Sequence, residues 1–387
     1  MKVEFSKLKD VAEFIRGITF APTDVIDDFI DDKTIAVMRT KNVQNILDLS
    51  DVWKINKSFV KSNKQYLSEG DLLVSSANSW NLVGKACWVD KLDYTATFGG
   101  FVTVLRADER KVIKKYLYYW FVSNSIQSLL RSCSNKTTNI SNLNLKRAYE
   151  LKIPLPPLAE QQRIAQILDT AVRLMQLREL AIVKLDQLAQ SVFVEMFGDA
   201  KTTNKWMRKE ISTVAKIYTG KTPSSADESN FGDEIPFVTP TDLRGMIEKS
   251  TRHISIKGAQ SITTVRAGAT LVGCIGDIGR VGLANFSVTF NQQINAVDWN
   301  QSVVNDVYGF YVMQYMEEVF KNRSVSAVVP ILNKSNFSKI EIPIPPLIEQ
   351  VNFEKFIRLI WNLKKKMLKN INIKLIASLQ HQSFAVN

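Results

Sequence analysis

A nine-residue phrase occurs twice in this chain. Residues 153–161 read IPLPPLAEQ and residues 342–350 read IPIPPLIEQ. Seven of the nine positions agree at a spacing of 189 residues, which also relates Leu143 to Leu332 and Asn144 to Asn333. The likeness continues upstream with small shifts in spacing. VAEFIRGITFAP (11–22) parallels VAKIYTGKTPSS (214–225), and FGGFVTVL (98–105) parallels FNQQINAV (290–297), with Phe98 and Phe290 192 apart. EGDLLVSSANSWNLVGKA (69–86) parallels AGATLVGCIGDIGRVGLA (267–284), with Gly70/Gly268, Leu73/Leu271, Val74/Val272, Gly84/Gly282 and Ala86/Ala284 all 198 apart. The order is the same in both halves. A period this long exceeds any solenoid unit, so a whole domain is duplicated.

Each half follows one plan. Short β-branched and aromatic runs bounded by Gly, Asn, Ser and Pro come first, such as IAVMRT (35–40), LLVS (72–75) and FVTVL (101–105), and read as strands. A helical stretch follows (114–132, matched by 307–322), then Pro-Pro, then a long helix. After Pro157 the residues Ile164, Ile167, Ala171, Leu174, Arg178, Ala181, Leu185, Leu188 and Val192 step alternately by three and four, a coiled-coil stripe broken only by Arg178. A helix over 157–197 would be about 60 Å long. Pro157 suits its first turn, and Glu160 the positive end of its dipole. The second helix, after Pro346, carries a looser stripe of Phe353, Phe356, Ile360, Leu363, Met367, Ile371, Leu375 and Leu379. Its Lys364, Lys365 and Lys366 are either a solvated face or an attraction for DNA or an acidic partner. The two helices are expected to pair antiparallel; the alternative is two independent amphipathic helices. The fold class is α+β: two similar β-rich domains separated by two long antiparallel coiled-coil helices, a pseudo-two-fold internal duplication. The expected domains are 1–155 and 201–345, with helices in 156–200 and 346–387.

Lys and Arg number 50 against 38 Asp and Glu, a net charge of +12, which makes a polyanion a plausible partner. Cys87, Cys133 and Cys274 form no C-x-x-C, and His253 and His381 are the only histidines, so no zinc site is expected. The start, MKVEFSKLKD, lacks the apolar core of a secretory signal, and no apolar run approaches the roughly 18 residues of a membrane span. A cytoplasmic protein is expected. TGKT (219–222) has Ala215 where a phosphate-binding loop needs Gly, and Pro223 obstructs a following helix, so it reads as a turn. GCIGDIGRVG (273–282) departs from a dinucleotide fingerprint and reads as strand–turn–strand, although its glycines would let backbone approach a ligand. Pro156-Pro157 lacks the flanking acid or amide and aromatic of an amino-methyltransferase motif. Glu150-Leu151-Lys152 lacks the metal-binding Asp of a nuclease. No nucleophile–histidine set is suggested. These absences point to binding rather than catalysis, with no catalytic residue, no metal and no cofactor in this chain.

Two β-rich halves, each closing with IP-I/L-PPL-x-EQ and a long helix, resemble the specificity subunit of Type I restriction–modification systems. VEMFGD (194–199), TGKTPS (219–224), IPFVTPTDL (235–243) and FNQQINAV (290–297) resemble that family too. The first half departs from it, with FGGFVTVL where an NQQ-like pattern would fall. The resemblance implies a non-catalytic subunit whose β-rich halves are target-recognition domains, each reading one part of a split, asymmetric target in double-stranded DNA. It implies two methyltransferase subunits docked on the helices, joined by restriction/translocase subunits. S-adenosylmethionine, Mg and ATP would be held by those partners, and no membrane is involved.

Base contacts are expected from Arg, Asn and Gln in loops, and phosphate contacts from Lys, Arg and small polar side chains. The candidates in the first half are Asn78, Ser79, Trp80, Lys85, Asn135, Lys136, Thr137, Thr138 and Asn139. In the second half they are Lys221, Thr222, Thr239, Asp242, Arg244, Asp277, Arg280, Gln292 and Gln293. The acidic run Asp24, Asp27, Asp28, Asp31 and Asp32 should face away from phosphate. Other readings are a recognition subunit of a methyltransferase-only or phage-defence complex, a nucleic-acid-modifying enzyme, and a coiled-coil adaptor that ignores DNA; salt-dependent duplex binding separates the last. If the helices set the unread spacer, inserting one full turn into both changes that spacer and leaves both half-targets unchanged. Methylation mapping checks this, and an unchanged spacer would refute it.

Overall fold

The computed structural model describes residues 4–26, 33–136, 140–325, 329–370, 380 and 384. The chain divides into two compact units, one of residues 1–178 and 371–387, the other of 179–370. Thr137, Thr138, Asn139, Asp27, Asp28, Asp31, Asp32, Ile371, Leu375, Leu379 and His381 lie outside the described residues.

In the first unit a four-stranded antiparallel sheet runs in the order Ala12–Arg16, Val102–Ala107, Leu72–Ser75, Ala86–Trp88. A second sheet places Thr34–Met38 between Trp53–Asn56 and a parallel neighbour, Ala96–Phe98. The apolar run Leu72–Ser75 is buried at every position because its two faces serve two cores. Leu72 and Val74 pack with Tyr116, Leu117 and Trp120, while Leu73 packs with Ala36, Met38 and Phe98. The second unit repeats this: Val272 faces Tyr308 and Val312, while Leu271 faces Val238 and Phe290. Its larger sheet has the order Ala215–Thr219, Ile294–Trp299, Thr270–Gly273, Val281–Ala284, Gly245–Ile247. Its smaller one has the order Arg252–Ile254, Ile235–Val238, Val288–Phe290, Thr264–Val265.

Backbone pairing corrects one detail of the repeat. Val74 pairs with Ala86, whereas Val272 pairs with Val281. Gly84 N–H donates to Ser75 O as Gly279 N–H donates to Gly273 O, and both glycines have positive φ, 82° and 93°. The counterpart of Gly84 is therefore Gly279, and that of Ala86 is Val281. The matches to Gly282 and Ala284 were coincidences of a constant spacing across a loop three residues shorter in the second unit.

The repeated phrase is a clamp. Gln161 is buried; its Oε1 accepts the N–H of Ile113 (2.9 Å), and its Nε2 donates to Lys111 O and Pro156 O. Gln350 accepts the N–H of Asn305 (2.7 Å) and donates to Val303 O and Pro345 O. Ile113 and Asn305 are the N-caps of helices Lys114–Phe121 and Asp306–Tyr315, so each glutamine takes an N–H at a helix start. Buried tyrosines on those helices complete the tie, Tyr116 Oη donating to Pro154 O (2.8 Å) and Tyr308 Oη to Pro343 O (2.7 Å).

The first long helix is Leu158–Phe197 and the second is Leu347–Asn370. In the second unit they run antiparallel: Phe197 and Phe193 lie 5.4 and 5.5 Å from Phe353 between ring centroids, and Asp186 bonds Lys364 at 2.5 Å. In the first unit Ile164, Ala165 and Leu168 share a core with Phe384. The covered seam differs from the expected stripe. Ile164, Leu185 and Val192 are packed in cores, but Ile167, Leu174 and Leu188 are 41–50% exposed, and Leu168 and Ala189 are buried instead, with Met175 and Arg178 half-buried. Likewise Leu363 is 47% exposed while Ile357 and Lys364 lie in the seam. The first helix has apolar residues on two adjacent stripes, so spacing alone could not choose between them.

Gln350→Ala removes the three hydrogen bonds of a buried side chain and is expected to cost about 2–4 kcal/mol in urea unfolding of the purified chain. Asn362→Ala, on an exposed position, should stay within about 0.5 kcal/mol. Equal effects would show that the clamp carries no stability.

Candidate nucleic-acid interface

In the first unit the strand Leu72–Ser75 leaves its sheet and continues into Ala77–Asn78. That segment pairs with Ser141–Leu143, which pairs in turn with Ser134–Lys136. Asn78 and Asn135 thus come from distant sequence onto one three-stranded ribbon. Asn78 donates to Ser75 Oγ (3.0 Å) and accepts from Ser79 N–H (2.8 Å), and Trp80 follows, 39% exposed. Lys85, between Gly84 and the return strand Ala86–Trp88, donates to Gln44 Oε1 at 2.7 Å. The N–H groups of Ser76 and Ala77 both donate to Phe101 O, which ties the ribbon to the 99–101 turn.

The second unit repeats the scaffold. Cys274 N–H donates to Gln293 O (2.7 Å), and Leu332 N–H to Cys274 O (2.8 Å). Arg280 follows Gly279 as Lys85 follows Gly84, so these two candidate cations occupy the same position in the two units. Arg280 pairs with Asp277. Thr222 donates to Gln292 Oε1 (2.6 Å), Gln293 accepts from Asn291 Nδ2 (3.0 Å), and Lys221 N–H donates to Phe290 O. The register Thr219↔Asn295, Gly273↔Ile294 and Val272↔Val281 brings Lys221, Thr222, Asp277, Arg280, Gln292 and Gln293 to one end of the larger sheet.

Thr239 adjoins that end but is turned to local bonding. Asp242 accepts from Thr239 N–H and Oγ1 (2.8 and 2.9 Å) and from Thr251 N–H and Oγ1, closing the turn after Ile235–Val238. Arg244 is exposed and lines a cleft of about 300 Å³ with Arg280, Gln190 and Tyr315. Asp24 accepts from Ala21 N–H in a turn of the first unit. The glycine of TGKT answers to chain crossing: a Cβ on Gly220 would lie 2.0 Å from Asn291 O, as one on Gly17 would lie 2.1 Å from Gly99 O.

A cavity of about 470 Å³ opens at the same end of the first unit, lined by Ile18, Phe20, Arg39, Trp53 and Phe101 among others. The Arg39 guanidinium lies 3.5 Å from the Trp53 ring centroid and pairs with Asp51, which Lys41 also bonds at 2.6 Å. The Lys41 ammonium, ahead of Arg39, holds the Asp51 carboxyl below its usual range. Arg39 Nε is the one buried side-chain donor among the described residues with no hydrogen-bond partner. Phe101 is 67% exposed. None of Arg39, Trp53 or Phe101 was among the sequence candidates; the signal available was the departure of FGGF from FNQQ.

Among the described residues no group of three His, Cys, Asp or Glu side chains could hold a metal ion, and no helix is long and apolar enough to cross a membrane. Burial pushes the Cys87 and Cys274 thiols up to about 12, which keeps them in the unreactive protonated form near neutral pH.

The family profile described as the Type I restriction modification DNA specificity domain matches residues 1–185 and again residues 203–377. The chain belongs to this family. The specificity subunit is 25% identical over 315 residues to the provisionally named MjaX type I restriction enzyme specificity subunit of Methanocaldococcus jannaschii, covering 78% of this chain and 73% of that one. It is 28% identical over 204 residues to the EcoKI specificity subunit of Escherichia coli, covering 52% of this chain and 43% of that one. In fold it is similar to the S subunit of a Type I restriction–modification system from M. genitalium, with a TM-score of 0.61, 13% identity, and coverage of 100% of this chain and 97% of that one. It is also similar, at a TM-score of 0.62 and 17% identity, to a chain from a structural study of complex assembly in the type I R-M system, covering 99% and 97%.

Lys85→Ala and Arg280→Ala are each expected to weaken duplex binding by the assembled complex about equally on all sequences. Each should lower the slope of log affinity against log salt by about 0.9 for every phosphate that is no longer neutralised. An unchanged slope would remove that residue from the interface.

Proposed function

We propose that this specificity subunit reads a two-part, asymmetric sequence in double-stranded DNA, residues 1–155 reading one part and 201–345 the other. One observation carries the reading. The two units share a strand framework down to individual backbone hydrogen bonds, yet at one end of that framework their side chains differ: Asn78, Lys85 and Phe101 in the first, Lys221, Arg280 and Gln293 in the second. A duplicated scaffold with divergent side chains at equivalent ends suits two unlike half-targets.

The helices in 156–200 and 346–387 scaffold the partners. Ile167, Leu174, Leu177 and Leu188 expose large apolar side chains along the first long helix, a stripe suited to helices of other subunits. Those partners are two methyltransferase subunits and restriction/translocase subunits. S-adenosylmethionine, Mg and ATP are held there, and this chain performs no chemistry and carries no cofactor. It works in the cytoplasm, where the duplex and its partners are.

Base-resolution methylation mapping tests the reading in cells carrying this gene with its companion methyltransferase gene, against a strain lacking only this gene. The expected result is a gapped, two-part methyladenine motif that vanishes without this chain. Methylation that persists unchanged in the control strain would overturn the proposal.

A further inference from the structure

Matching hydrogen bonds and strand pairings relate the two units position by position at the end of the framework described above. Ile18 and Lys221 are counterparts, since their N–H groups donate to Phe98 O and Phe290 O. Arg39 and Thr239 are counterparts, each N–H being accepted by the side chain three residues on, Asn42 and Asp242. Trp53 and Arg252 are counterparts, paired with Val37 and Phe237. Phe101 and Gln293 are counterparts, their carbonyls accepting from Ser76 and Cys274. At these four places the first unit carries Ile, Arg, Trp and Phe, and the second carries Lys, Thr, Arg and Gln. The backbone is repeated and the lining has changed from largely apolar to polar.

Glycine makes the first lining a cavity. Gly99 and Gly100 stand where the second unit has Asn291 and Gln292, whose side chains bond Gln293 and Thr222. With no such side chains, the turn leaves about 470 Å³ open beside Phe20 and Trp53, and Phe101 stands at its rim with two-thirds of its surface exposed. An exposed ring over an open apolar cavity is a surface that gains by being covered. Arg39 and Lys41, both lining the cavity, bond Asp51 beside it, so cationic side chains stand at the edge of the apolar surface where a phosphate could exchange with that carboxylate.

We infer that the 99–101 turn with its cavity reads the first half-target by apolar contact, Phe101 covering the C5-methyl of a thymine in the major groove, while the equivalent turn with Gln293 reads the second by hydrogen bonding. This rests on the DNA-reading function proposed above. The thymine methyl is the one apolar group that base edges present in the major groove, so it is the feature an exposed phenylalanine can select. Glutamine in the counterpart position offers the paired donor and acceptor that suit adenine.

The test uses the assembled methyltransferase complex. Methylation maps are made with the wild-type chain, with Phe101→Ala and with Gln293→Ala. Binding of the wild-type and Phe101→Ala complexes is then measured on duplexes in which each target thymine is replaced in turn by deoxyuridine, which lacks the methyl. Phe101→Ala is expected to relax one thymine of one half-target and leave the other half-target intact, and Gln293→Ala to relax a position in the opposite half. Deoxyuridine at the relaxed position should weaken wild-type binding about 5- to 30-fold and Phe101→Ala binding no further. A motif unchanged by Phe101→Ala overturns the inference. So does a wild-type complex indifferent to deoxyuridine at every thymine, a result that needs no variant to fold. A wild-type map without a gapped motif overturns the function as well as the inference.

Discussion

In each unit one buried glutamine side chain decides where the long helix begins relative to the sheet. Gln161 and Gln350 each accept an N–H at the start of the packed helix and return two N–H bonds to carbonyls, one of them in the proline segment. A primary amide can do this because it carries both a donor pair and an acceptor; a carboxylate could meet only the accepting part of the set and a leucine none of it. The prolines around it supply no competing N–H and hold the approach extended. The tyrosine hydroxyls of Tyr116 and Tyr308 take up the proline carbonyl that would otherwise be buried unpaired. Everything that the sheets present at their far ends is referenced to the long helices through this joint.

The joint also explains which parts of the fold could be read from sequence. Seven identities in nine residues announced the duplication because every atom of that segment is under geometric demand. The hairpin from Leu72 to Trp88 faces fewer demands in its loop, and there a constant spacing misaligned Gly84 and Ala86 by three residues. The heptad was legible in period and only half legible in register. Ile164, Leu185 and Val192 lie in the seam, but the choice between Ile167 and Leu168, or Leu174 and Met175, depends on which side meets the rest of the chain. Amphipathic periodicity carries no information about that when both candidate stripes are apolar.

One ion pair shows how the same place can be filled by opposite residues. In the first unit Arg106 bonds Asp71, which is almost wholly buried, in a two-pronged pair at 2.6–2.7 Å; in the second, Asp298 stands at the strand position of Arg106 and accepts from Arg266 at 2.7 Å. The two strand positions match because Leu105 and Val297 both pair across to the central strand, at Leu72 and Thr270. In each unit the partner lies outside the strands, Asp71 just before Leu72–Ser75 and Arg266 between Thr264–Val265 and Thr270–Gly273, so the sign on the inner strand can change together with its partner. No comparison of residue identities would relate Arg106 to Asp298, though both sit on the sheet's inner strand doing the same work.

The candidate interface was legible where its residues were polar and unreadable where they were apolar. Lys85, Asn78, Arg280 and Gln293 stood out as cations and amides in glycine-rich stretches, and they lie on the ribbons and turns at the end of the sheets. Phe101 sits in an apolar run that reads as a strand, yet it is 67% exposed, because exposure is not written in residue type. The two glycines before Phe101 were the missing physical clue. They lack the side chains that fill the same turn in the second unit, and the cavity opens there with the next aromatic, Phe101, in its lining. On the reading proposed above, a framework held fixed by buried amides, tyrosines and ion pairs changes what it recognises by exchanging a few side chains at its free end. Its strands need not move.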